Sequence, residues 1–68
     1  MLVKATINGE SLELPEGLTV AGLLEFLGTI RQGIAVARND SVVPRARYDS
    51  DYIQNGDRIE IIRAVAGG

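Results

Sequence analysis

The stretch Thr19-Val20-Ala21-Gly22-Leu23-Leu24-Glu25-Phe26-Leu27-Gly28 decides the fold of this chain. Val20, Leu23, Leu24 and Leu27 recur at i, i+3, i+4 and i+7, which puts them on one face of an α-helix. Gly22 and Glu25 fall on the opposite side, and Phe26 flanks the stripe. Thr19 is a residue type that caps a helix N-terminus, and Gly28 one that stops a helix at its C-terminus. So short a helix is not stable by itself in water. Its apolar stripe has to cover a sheet, and the flanking sequence supplies one.

Upstream, Val3, Ala5 and Ile7 alternate with Lys4 and Thr6, the period-2 pattern of a half-buried strand over residues 2–7. Asn8-Gly9 is a strong hairpin signal because both residues accept positive φ. Leu12 and Leu14 then alternate with Ser11 and Glu13 in the returning strand, closed by Pro15-Glu16-Gly17. Downstream, Ile34 to Arg38 is a third strand and Asn39-Asp40 its turn. Val42-Val43-Pro44 is a short strand, kept at an edge by Pro44. Residues 45–55 are irregular or a single turn, with Tyr48 and Ile53 packing inward. After the turn Asn55-Gly56-Asp57, Arg58 to Arg63 is the last strand, with Ile59 and Ile61 inward and Arg58, Glu60 and Ile62 outward. The first and last strands carry the most β-branched residues and are expected at the centre. One helix on one face of a mixed sheet of about five strands is an α+β layout.

Composition bounds the chemistry. A chain of 68 residues with net charge −2 supports one domain. A core of that size supplies roughly 3–5 kcal/mol of net stability and leaves little room for a lined pocket. Cys and His are both absent, which excludes thiolate or imidazole metal sites, Cys nucleophiles and imidazole acid–base catalysis in their usual forms. The protein is therefore expected not to be an enzyme and to bind no metal. There is no signal-peptide core and no long apolar run, so a soluble cytoplasmic protein is expected, with no membrane and no nucleic acid as partner.

Each remaining polar cluster has an ordinary reading. Asp49 with Asp51, and Asp57 with Glu60, are expected to cap turns and face solvent rather than form a catalytic pair. Arg31, Arg38, Arg45, Arg47, Arg58 and Arg63 are spread along an acidic chain. Arg45 and Arg47 beside Tyr48 resemble a basic–aromatic RNA patch less than a solvated or protein-docking surface. Ile62 is an apolar side chain on an outward register next to the chain's end, which makes it, with Arg58 and Arg63, a candidate docking site.

The end itself is Ala64-Val65-Ala66-Gly67-Gly68. Residues 1–63 are expected to form the domain and 64–68 a flexible tail. Five residues reach about 16–18 Å when extended. Glycines carry no Cβ, so such a segment can thread a slot too narrow for side chains, with Val65, Ala66 and Gly67 as the threading part and Gly68 delivered at its end. The Gly68 carboxylate is a poor electrophile until a partner converts it to an activated acyl group. Lys4 is the only lysine, and no side chain can hold a persulfide. The terminal carboxylate is therefore the one group that can be activated and delivered.

These residues carry a family likeness. Asn8-Gly9 with Leu14-Pro15-Glu16-Gly17, Thr19-Val20-Ala21-Gly22-Leu23-Leu24, Ala35-Val36-Ala37-Arg38-Asn39 leading to Val42-Val43-Pro44-Arg45, and Gly56-Asp57-Arg58-Ile59-Glu60-Ile61 leading to Val65-Ala66-Gly67-Gly68 resemble the ubiquitin-like β-grasp sulfur carriers, and among them the ThiS-like carriers of thiamine biosynthesis. Arg38 and Asp40 depart from the usual pattern, at what reads as an edge turn. The resemblance implies that an E1-like adenylating enzyme (ThiF-like) uses ATP and Mg²⁺ to adenylate Gly68. It implies that sulfur from a donor such as a cysteine desulfurase converts Gly68 to a thiocarboxylate, and that a thiazole synthase (ThiG-like) receives the sulfur. The carrier itself is expected to bind no cofactor and to be a monomer when free.

Other readings share parts of this pattern. The small subunit of molybdopterin synthase has the same fold and terminal chemistry, but such subunits are usually longer, with an aromatic or Pro-rich approach to Gly-Gly. Another sulfur carrier of the same fold, a ubiquitin-like protein-modifying tag and a passive RNA-binding or scaffold module complete the set.

Overall fold

The computed structural model describes residues 1–63, so the expectation of a flexible tail over residues 64–68 lies outside the described residues. Strand β1 (Leu2–Ile7) and strand β2 (Glu10–Pro15) form an antiparallel hairpin in which Val3 faces Leu14, Ala5 faces Leu12 and Ile7 faces Glu10. Asn8 (φ 50°) and Gly9 (φ 83°) are both left-handed, the conformation of a two-residue turn whose twist matches that of the strands. Helix α1 (Val20–Phe26) follows, then strands β3 (Ile34–Arg38) and β4 (Ser41–Val42), a 3-10 turn at Arg45–Arg47, and strand β5 (Arg58–Arg63). The sheet order is β2-β1-β5-β3-β4, with β5 parallel to β1 and antiparallel to β3. The first and last strands are thus central, as their β-branched content requires. The arrangement is a ubiquitin-like β-grasp α+β fold, in agreement with the layout read from the sequence.

Helix α1 begins where Thr19 turns extended (φ −82°, ψ 174°) and its hydroxyl accepts the Gly22 N–H at 3.0 Å. The two preceding helical N–H groups are satisfied by the loop beneath: Val20 N–H donates to Asp51 O and Ala21 N–H to Tyr48 O, at 2.9 and 2.8 Å. At the other end Gly28 (φ 71°) allows a double C-cap. Its N–H reaches Glu25 O at 3.0 Å, and the Thr29 N–H reaches Leu24 O at 2.8 Å. Val20, Leu23 and Leu24 are fully buried against Ala5, Ile7, Leu14, Val36 and Ile59, while Leu27 packs at the margin of that core.

The segment between β4 and β5 is less irregular than its sequence suggests. Beyond the 3-10 turn, Thr19 and Tyr52 form a β-bridge, and Ile53 N–H donates to Leu18 O at 2.9 Å. Tyr48 and Ile53 are buried as expected. The fourth strand is displaced by one residue from its expected place. Ser41–Val42 pair with β3, whereas Val43 turns inward and is buried, its N–H donating to Val36 O at 2.8 Å.

Candidate functional site

Strand β5 is the element that leads to the chain's end, and its neighbours fix what it presents. Backbone alternation sends Ile59 into the core and Ile62 to the open face, where Ile62 is 55% exposed. On that face Ala35 lies directly across from Ile62, and Ala37 lies between Glu60 and Val42. Ile62 and the exposed Val42, with the two small alanines between them, make a shallow apolar patch beside the last residue of the strand. Arg58 and Arg63 are exposed at the two ends of β5. Arg58 is not a free cation: its guanidinium meets the Asp40 carboxylate at 2.6 Å, and that hydrogen bond and charge hold it above its ordinary pKa. Three candidate docking residues, Arg58, Ile62 and Arg63, are thus on one strand, with Ile62 in the patch. Gly68, Gly67, Ala66 and Val65, the candidate activation and threading residues, lie outside the described residues.

Asp57 corrects the sequence reading. It was expected in a solvated turn, yet it is only 6% exposed. Its carboxylate accepts the Gln54 N–H at 2.7 Å and the Asn39 amide at 3.0 Å, with Arg38 Nε at 3.9 Å. Arg38 in turn donates to Tyr52 O at 2.9 Å. Asn39 is the hub: its own N–H donates to Arg58 O, and its Oδ1 accepts the Arg58 N–H, both at 2.8 Å. The Asn39-Asp40 turn, with both residues at positive φ, is therefore not a mere edge turn. It seizes the first residue of β5. A lone carboxylate in a turn sequence carries no sign of a partner 18 residues away.

The other polar candidates resolve into local pairs. Arg31 bridges Asp49 at 3.0 Å and lies over the Tyr48 ring, and Arg47 binds Asp51 at 3.2 Å. Burial of Tyr48 removes the aromatic half of an RNA patch with Arg45 and Arg47. Among the described residues no group of three or more Asp or Glu side chains is arranged to hold a metal, and no helix is long and apolar enough to cross a membrane. An open groove of about 610 Å³ is lined by Leu2, Gly17, Tyr52 and Gln54 among others. It lies at the start of β1, the opposite end of the sheet from Arg63, because β1 and β5 run parallel.

Comparison with known proteins agrees with this geometry. The model of the ThiS family matches residues 3–68. The Sulfur carrier protein ThiS of Escherichia coli (strain K12) is 36% identical over 61 residues, covering 90% of this chain and 92% of that protein. A thiazole synthase from Paramagnetospirillum magneticum is 36% identical over 66 residues, and this chain spans only 20% of its length. A solved structure described as thiamine biosynthesis protein (ThiS) from Geobacter metallireducens superposes with a TM-score of 0.85 at 28% identity, covering 97% of this chain and all of that one. With the strand order, the capped helix and the match through the terminal glycines all in agreement, this chain belongs to the ThiS family.

Proposed function

We propose that this protein is a sulfur carrier of thiamine biosynthesis and that its working group is the Gly68 carboxylate. The observation that carries the reading is the position of β5: a central strand that ends at Arg63, five residues before Gly68, beside an exposed apolar patch. In this reading the domain is a cosubstrate, whose Gly68 carboxylate is activated and reacted by partner enzymes. An E1-like adenylating enzyme (ThiF-like) joins the carboxylate oxygen to the α-phosphorus of ATP, with Mg²⁺, and releases pyrophosphate. A sulfur donor at the oxidation level of sulfide then attacks the Gly68 carbonyl carbon. AMP leaves with the bonding pair, and a thiocarboxylate remains. A donor such as a cysteine desulfurase supplies sulfur as a persulfide, and a thiol reductant, itself oxidised to a disulfide, brings that sulfur to the sulfide level.

A thiazole synthase (ThiG-like) is the acceptor. The support for this partner is that polypeptides named thiazole synthase contain a stretch similar to 97% of this chain. Joining carrier to synthase raises the effective concentration of one for the other, which is useful only if the two meet in the reaction. The same stretch gives no reason to prefer a molybdopterin subunit or a protein-modifying tag.

Intact-mass analysis tests the proposal. Incubation with ATP, Mg²⁺, a ThiF-like enzyme and sulfide should raise the mass by the sulfur-for-oxygen difference, and hydrolysis should reverse it. A chain that stays at its original mass with several such enzymes, or an adduct mapped to an internal residue, sinks the carrier reading.

Ile62 supplies the docking contact. Ile62→Asp should weaken binding to the activating enzyme by roughly tenfold or more, the loss typical of an apolar anchor replaced by a charge. The melting temperature should stay within about 7 °C, because the side chain faces water and its loss is worth under about 1 kcal/mol. Unchanged affinity in titration calorimetry would remove Ile62 from the interface.

A further inference from the structure

Two tight turns flank β5, and in each the first turn residue is an asparagine held at φ 50°. Asn39 grips the entry of the strand, as described above. Asn8 grips it near its exit. The parallel ladder between β1 and β5 has only two paired positions, Thr6 with Arg58 and Ile7 with Ile59, before β1 turns away at Asn8-Gly9. The Asn8 backbone N–H still donates to Ile59 O at 2.9 Å. Its side chain then continues where the strand stops: Oδ1 accepts the Ile61 N–H at 2.8 Å, and Nδ2 donates to Ile61 O at 3.4 Å. One primary amide thus stands in for a peptide unit of the missing strand, presenting an acceptor and a donor to the two backbone groups of one residue.

The position matters because Ile61 is followed directly by Ile62 and Arg63. On the other side these residues are paired with β3, Ile62 with Ala35 and Arg63 with Ile34. Toward β1, the Asn8 amide is the last hydrogen-bonding group among the described residues to hold the strand. A turn needs only a residue that accepts positive φ, and glycine would do that. Asparagine adds the amide.

We propose that Asn8 is a positioning residue for the chemistry at Gly68: its amide fixes the backbone of Ile61 and with it the point and direction at which β5 ends. This rests on the carrier function proposed above. A docked partner holds the open face, and the reach from that face to the nucleotide is set by where β5 ends. A small error at that point is carried to the tip, and a displacement of about 1 Å at a reacting centre can lower a rate by roughly a hundredfold.

Asn8→Gly isolates the amide, since it keeps the turn and deletes the side chain. Hydrogen exchange followed by NMR should show the Ile61 amide opening at least about tenfold faster, with the Ile59 amide unchanged. In steady-state adenylation with a ThiF-like enzyme, kcat should fall about tenfold while KM for the carrier changes less than about twofold, because docking through Ile62 is untouched. Asn8→Asp keeps an acceptor for the Ile61 N–H and tolerates the same φ, so its kcat should lie within about threefold of the parent. Equal kcat for parent and Asn8→Gly overturns the inference and leaves the carrier function standing. So does an unchanged Ile61 exchange rate. Loss of the native spectrum in Asn8→Gly would assign the amide to global stability, and would also overturn it. If the parent chain itself is not adenylated, the carrier function fails first, and the inference falls with it.

Discussion

Asp57→Ala should lower the stability of the domain by about 3 kcal/mol, the scale for breaking a buried, hydrogen-bonded charge network by removing one partner. The carboxylate is 6% exposed and serves three groups at once: the Gln54 N–H, the Asn39 amide and, at 3.9 Å, the Arg38 guanidinium. Alanine takes the acceptor from all three at once. The loss extends to β5, because Asn39 uses its remaining atoms to hold the Arg58 backbone. A 68-residue domain has roughly 3–5 kcal/mol to lose, so the variant should be within about 0–2 kcal/mol of unfolding. Asp57→Asn keeps one oxygen for Gln54 and Arg38, which share Oδ2, but turns its NH2 toward the Asn39 NH2 donor and loses the charge, so it should cost an intermediate amount, about 1–2 kcal/mol. Urea denaturation with an unchanged m-value measures both. A loss under about 0.5 kcal/mol for Asp57→Ala would mean that the network contributes no more than an ordinary surface contact.

The helix and the strands were legible because their signals are local. The stripe of Val20, Leu23, Leu24 and Leu27 and the alternations in residues 2–7 and 58–63 report burial through period alone, and burial is what the structure shows for Val20, Leu23, Leu24, Ala5, Ile7 and Ile59. Thr19 and Gly28 marked the helix ends for the same reason: each acts on backbone groups within four or five residues of itself. The short fourth strand slipped by one residue because Val42 and Val43 are equivalent to a period-2 reading. Only the tertiary bond from Val43 to Val36 decides which of them faces inward.

What could not be read were the roles of Asn8, Asn39 and Asp57. Each is a standard turn residue, and turn chemistry explains its presence fully at the local level. The additional role comes from partners 53 residues away for Asn8 and 18 or 19 away for Asn39. No spacing rule links those positions before the parallel β1–β5 and antiparallel β3–β5 pairings bring them together. Arg38 and Asp40 flank the turn of the edge hairpin, as read, but their further contacts were hidden on the same ground. The sheet order puts their turn against the start of the central strand, not against the outer strand alone. Ile62, in contrast, was legible, since its exposure follows from the same alternation that buries Ile59.

Deleting Gly68 should abolish sulfur loading while leaving the fold intact. In the proposed carrier reaction the reacting atom is the terminal carboxyl carbon, and its distance from the docked domain is set by the number of residues after Arg63. An extended segment of five residues spans about 16–18 Å, and removing one shortens it by about 3.3–3.6 Å. The carboxylate of Gly67 would then stop short of the nucleotide by more than the length of the bond that must form. With Ile62 and its neighbours seated on the partner as proposed, the domain would be unable to slide forward to compensate. Gly67→Val keeps the length and tests the slot instead. A branched Cβ restricts φ and ψ to ordinary regions and needs room that a glycine-wide channel lacks. Both variants should keep the parent's melting temperature within about 2 °C, since both leave the core of the described residues unchanged. Loading is read by intact mass with ATP, Mg²⁺, a ThiF-like enzyme and sulfide, and pyrophosphate release is read in parallel. Loss of both signals in the deletion places the defect at adenylation. Pyrophosphate release without a mass gain would place it at sulfur transfer, with the carboxylate still reaching the nucleotide, and would contradict the length argument. Loading of the deletion at the parent's rate would show that the chemistry does not depend on Gly68.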